Sequence, residues 1–138
     1  MFTFSPDYYL MVAVAAFGVI QIAASIGGLN GLLLLKSSAI TRTLGLLLIV
    51  AAIFWYFSSE PRNINDYEGG LDGNRQAFNF LLGALTATAL TVLLSSLRNS
   101  KLGEGVAIAN EGLDALREAN YLRALKQNIK LRRKNGAA

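Results

Sequence analysis

Residues 10–35 read LMVAVAAFGVIQIAASIGGLNGLLLL, 26 positions without a single charge. A hydrocarbon layer of roughly 30 Å takes about 20 apolar residues at 1.5 Å per residue, and core helices of globular domains are shorter than this run. The stretch reads as a membrane span with length to spare, which implies tilt or a piece of helix clear of the bilayer. Working outward, residues 40–57 (ITRTLGLLLIVAAIFWYF) and 78–97 (FNFLLGALTATALTVLLSSL) read the same way.

Charge placement predicts the orientation. The segments on one side, residues 1–9 and 60–76, carry a net −3; the 36–42 turn and everything after Leu97 carry +7, which together make the net +4 of the chain. Lys and Arg in short flanking segments stay in the cytoplasm, so the N-terminus is expected outside and the tail inside a bacterial-type plasma membrane. A cleaved signal peptide needs a positive n-region and a short apolar stretch, and neither is present. Ser5-Pro6-Asp7 reads instead as a helix start, with Ser5 as cap and Pro6 in the first turn, so the first span is expected to be retained.

Ten of the thirteen aromatic residues fall at the predicted outer ends of the spans, among them Tyr8, Tyr9, Trp55, Tyr56, Phe57, Phe78 and Phe80. Rings favour the headgroup boundary, so this is an interfacial belt furnished on one side, or a docking surface for a partner. With no His and no Cys, haem, iron–sulfur, zinc, and thiol or imidazole chemistry are poorly supported, and no cofactor is expected. Counting Arg42 to the turn, no ionisable residue lies within a span, which speaks against ion coupling, proton relays and voltage sensing.

The polar residues inside the spans, Gln21, Ser25, Asn30, Asn79, Thr86, Thr88, Thr91, Ser95 and Ser96, read as glue between helices. Small residues recur every four positions as Ala23, Gly27 and Gly31 in the first span and as Gly83, Ala87, Thr91 and Ser95 in the third. These stripes predict faces where backbones approach closely, within the chain or against another subunit.

The outer loop, EPRNINDYEGGLDGNRQ at 60–76, puts Asp66, Glu68, Asp72 and Asn74 within nine residues. That density invites a calcium site, yet the spacing lacks an oxygen ligand at position five and a Glu at position twelve of an EF-hand, so turn chemistry is the preferred reading. The loop from Asp66 to Asn74, with the three-span layout, resembles small bacterial membrane proteins found next to α/β-hydrolases. The resemblance implies a membrane partner for a larger enzyme and assigns no catalytic residue.

After a Gly-containing hinge at 98–105, residues 106–131 resume a helical pattern. Leu102, Val106, Ala109, Leu113 and Leu116 form an apolar seam that slips toward Tyr121, Leu122, Leu125 and Ile129. Lys130, Arg132, Arg133 and Lys134 make the end basic, which suits the helix dipole. One long amphipathic helix is expected, lying on anionic inner-leaflet lipid or docking on a partner through Leu113, Leu116, Leu122 and Leu125; a short basic run without a motif gives nucleic-acid binding little support.

The expected fold is an all-α membrane protein with a three-span transmembrane domain at 1–97 and a cytoplasmic amphipathic basic helix at 98–138. The expected role is a non-catalytic integral membrane subunit that anchors or scaffolds a larger complex. Its partners are then other membrane subunits or copies of itself, and membrane lipids. A self-assembling pore or small passive carrier, lined by Gln21, Ser25, Asn79, Thr86, Thr88 and Thr91, is the alternative.

Overall fold

The computed structural model describes residues 4–59, 73–105 and 112–135, and of Phe4, Leu131, Lys134 and Asn135 the backbone only. Among these the chain is all helical. Three long helices, α1 (Phe4–Gly27), α2 (Ser38–Ser59) and α3 (Gly73–Arg98), are followed by a 3₁₀ segment (Gly112–Arg117) and a fourth helix, α4 (Tyr121–Asn135). At 24, 22 and 26 residues the long helices measure roughly 36, 33 and 39 Å, enough for the hydrocarbon layer. All three are long and apolar enough to cross a membrane, and only 28%, 22% and 28% of their most apolar windows are buried.

The first helix departs from the expected span. It begins at Phe4, well before residue 10, and stops at Gly27. Gly28 takes φ +68°, and Leu29 N–H donates to Ala24 O at 2.9 Å, the six-to-one bond of a Schellman cap. Only glycine enters that left-handed position at no steric cost. The chain then makes a short 3₁₀ turn, Asn30–Leu32, and Leu33 is extended. Gly27 and Gly31 therefore do not share a helical face. Gly27-Gly28 is a stop signal, and the four-residue spacing to Gly31 is a coincidence of composition.

The chain divides into two compact units. One comprises Met1–Ile20 and Thr43–Leu90. In it α3 approaches α1 at Gly83, where a Cβ would stand 3.0 Å from Tyr9 O and from Val12 Cγ1, and α2 approaches α1 at Gly18, where a Cβ would stand 2.5 Å from Gly45 O. Val12, Ala52, Tyr56 and Ala87 are buried there. Two side-chain bonds tie α3 to α1: Tyr9 Oη donates to Thr86 Oγ1 at 3.0 Å, and Asn79 Nδ2 donates to Ser5 Oγ.

The other unit comprises Gln21–Arg42 and Thr91–Ala138. Its apolar centre is Ala115, Leu116, Ala119 and Ala124, with Leu29, Leu32 and Tyr121 packed against them. The single tail helix expected over 106–131 is not formed over the described part of that range. Residues 112–117 are 3₁₀, residues 118–120 turn, and α4 starts at Tyr121. Asn120 is the reason: its Oδ1 accepts the Arg123 N–H at 2.9 Å, which is the N-cap bond of a new helix and is incompatible with one passing straight through. The slip of the apolar seam at Tyr121 marks this break. Leu113 accordingly is 70% exposed and Leu116 2%, so the two do not form a common seam.

Candidate functional site

The polar chemistry gathers in the second unit, around the reversal that joins α1 to α2. Breaking the helix at Gly28 leaves carbonyls and N–H groups without helical partners, and a buried orphan costs about 1–3 kcal/mol. Side-chain amides replace them. Gln21, 4% exposed, donates through Nε2 to Leu32 O and accepts the Leu34 N–H on Oε1, both at 3.2 Å. It thus pairs with the extended segment as a neighbouring strand would. Asn99, just past α3, directs Nδ2 at Leu33 O (2.8 Å), Asn30 O (3.2 Å) and Gly31 O (3.4 Å). Asn30 Nδ2 donates to Arg117 O at 3.2 Å, and the buried Asn120 donates to Asn99 O at 3.2 Å and to Ser100 O at 3.4 Å. Four amides from distant parts of the sequence therefore satisfy one reversal and clamp the tail to it.

Gly31 is placed by the same closeness. A Cβ there would overlap the Ala119 carbonyl oxygen and stand 3.0 Å from Leu116 O. The residue does mediate a close approach, but to the tail and not to another span. At Gly27 a Cβ would meet only Leu29, at an ordinary 3.5 Å, and Ala23 is exposed. The stripe on α3 fares differently: Gly83, Ala87, Thr91 and Ser95 are all buried, so this face is used within the chain. Gly18 carries a close contact of the same kind. A four-residue scan misses it because its counterpart, Gly45, lies on another helix.

A second hydroxyl cluster holds the start of α2. Ser25 Oγ lies 2.6 Å from Ser38 Oγ and accepts from Arg42 Nε at 3.1 Å. Thr41 Oγ1 donates to Ser37 O at 2.9 Å. Arg42, read as part of a turn, is on α2 and spends its Nε on this cluster. Ser96 Oγ is buried without a partner in the structure.

Beside the reversal lies a cavity of about 190 Å³, walled by Asn30, Leu33–Leu35 and Leu102 and flanked by Lys36 and Arg98. In the first unit an apolar groove of about 540 Å³ runs along α1, bounded by Val12, Ala16, Ile53, Phe80 and Ala84.

The aromatic residues separate into two kinds. Trp55, Phe57, Phe78 and Phe80 are exposed, Phe57 by 64% and Phe78 by 62%. Tyr56 is 4% exposed and stands edge-on to Tyr8 at 6.1 Å and to Phe57 at 5.1 Å, so it is a core residue and not part of a belt. Tyr9 is held by its bond to Thr86.

In the tail, Leu122 and Leu125 are exposed by 57% and 43%, as are Lys130, Arg132 and Arg133. The side chain of Lys134 lies outside the described residues. So do Asp66, Glu68 and Asp72 of the calcium candidate, whose fourth member, Asn74, sits in the first turn of α3. Among the described residues no three His, Cys, Asp or Glu side chains gather to hold a metal. Compared with known protein families, characterised proteins and solved structures, the chain matches none.

Proposed function

We propose that the chain is a non-catalytic integral membrane subunit that anchors or scaffolds a larger membrane complex, with its N-terminus outside and its basic tail in the cytoplasm of a bacterial-type plasma membrane. One observation carries the reading. The small-residue face of α3 and the close contact at Gly18 of α1 are consumed inside the chain, while the large apolar side chains point out: Leu46, Leu47, Phe54, Phe57, Phe78 and Leu97 are all more than half exposed. Without a hydrophobic drive between helices in lipid, such faces are covered by acyl chains or by a neighbouring subunit. The exposed rings near the end of α2 and the start of α3, with the outward Leu122 and Leu125 of α4, supply partner surfaces of the aromatic and aliphatic kind that interfaces concentrate. The likeness of the outer loop to small proteins found next to α/β-hydrolases makes a membrane-associated hydrolase a partner to seek.

The pore alternative has weaker support. Gln21, Ser25 and Thr91 are buried, and Asn79, Thr86 and Thr88 have bonds within the chain, so few polar groups remain to line a path.

The test is purification from native membranes in mild detergent followed by native mass measurement. Stoichiometric association with different polypeptides is expected. A closed ring of identical chains moves the assignment to a pore, and a stable solitary monomer overturns both.

A further inference from the structure

We propose that the cavity flanked by Lys36 and Arg98 is a binding site for the phosphate of one anionic glycerophospholipid. The inference rests on the membrane-spanning reading above and adds a ligand and a place to it. Lys36 stands just before α2, and Arg98 is the last residue of α3, so both belong to the ends of spans, where headgroups lie. Among the described residues neither cation has a hydrogen-bond or ion-pair partner, unlike Arg117, which pairs with Asp114, and Arg123, which pairs with Glu104.

Two free cations at one cavity of about 190 Å³ leave space more than ten times that needed by a single water, roughly 10–15 Å³. The amides beside them are already spent on backbone carbonyls, so recognition is by charge and not by a donor array. The terminal half-charge of α3 opposes an anion, but by about half an elementary charge against two whole ones.

A lipid fits better than free phosphate because the wall next to the cations is leucine. Leu33, Leu34, Leu35 and Leu102 line the same cavity and match the glycerol and upper acyl region of an amphiphile, whereas an inorganic ion gains nothing from them. A cation near the inner surface attracts anionic lipid with an energy that falls within a Debye length, so retention also falls with salt.

The experiment uses the full chain, purified in a nonionic detergent, mixed separately with phosphatidylglycerol, phosphatidylcholine and inorganic phosphate, with bound molecules counted by native mass spectrometry. One phosphatidylglycerol retained per chain is expected, and phosphatidylcholine only weakly. The Lys36→Gln/Arg98→Gln variant is expected to bind phosphatidylglycerol about 30-fold more weakly, while Arg132→Gln/Arg133→Gln, which alters exposed cations of α4, retains it. Circular dichroism checks that each variant keeps its helices, and Lys36→Arg, which preserves the charge, retains the lipid even if the double variant does not fold.

Equal retention by the double variant overturns the site. So does equal binding of phosphatidylcholine, loss of the lipid in Arg132→Gln/Arg133→Gln, or displacement by millimolar phosphate, which makes the cavity a free-anion site. Extraction of the chain from membranes by alkaline carbonate is a separate result, and refutes the membrane-spanning reading instead.

Discussion

Substituting Gly31 with alanine tests the clamp between the reversal and the tail. The backbone at Gly31 is not in the left-handed region, so alanine is conformationally acceptable and the effect is steric. The added Cβ overlaps the Ala119 carbonyl oxygen, and that oxygen belongs to a backbone that Asn120 fixes on both sides. Overpacking a close contact of this type costs about 1–3 kcal/mol. If the tail yields instead, the burial of Leu116, 2% exposed, is lost, at about 1.5–3 kcal/mol. Either route weakens docking by about 2 kcal/mol, which raises the opening equilibrium roughly 30-fold. Hydrogen exchange of the detergent-solubilised protein reads this directly, as faster exchange at the Glu118 and Ala119 amides, which donate to Ala115 O. Gly27→Ala is the matched control, since its Cβ meets only Leu29 at an ordinary distance. If Gly31→Ala exchanges like the wild type, or if Gly27→Ala opens the tail equally, the assignment of Gly31 to the tail contact is wrong.

Gly18→Leu should separate α1 from α2 and weaken their packing by a kcal/mol or so, the scale of membrane helix contacts, seen as a lower detergent melting temperature; Ile20→Leu should leave it unchanged. Asn120→Ala removes the cap of α4 and should cost about 0.5–2 kcal/mol, with a loss of helicity after residue 120; Asn120→Asp restores the cap acceptor but not the donation to Asn99 O and Ser100 O, so it should recover helicity only. A reporter that works in the cytoplasm should be active when fused at Ala138 and silent within residues 60–76, and activity at both places would refute the three-span arrangement.

The three long apolar helices were legible because an apolar run of this length has few other uses. Their ends were not. Gly27-Gly28 reads equally as part of a small-residue stripe and as a helix stop. What decides is the Leu29-to-Ala24 bond, a local geometry that periodicity does not encode. The tail failed for a related reason: its heptad-like seam runs across Asn120, and a single capping side chain outweighs the weak preference of the flanking residues for one continuous helix. The stripe on α3 was readable because a small residue every fourth position in an unbroken helix has one geometric outcome, a narrow face. The amide cluster left no comparable trace. Gln21, Asn30, Asn99 and Asn120 are isolated in sequence and meet only through the fold.

That last property bears on how the protein is made. When α1 and α2 have left the ribosome, the carbonyls of Gly31 and Leu33 still lack Asn99, which follows almost seventy residues later in the chain. Hydrocarbon offers these oxygens no substitute. On the membrane-spanning reading proposed above, the first two helices enter the bilayer as a hairpin whose bend waits in water until synthesis of the end of α3 lets it close. Biogenesis acquires an order, in which the last span completes the first turn.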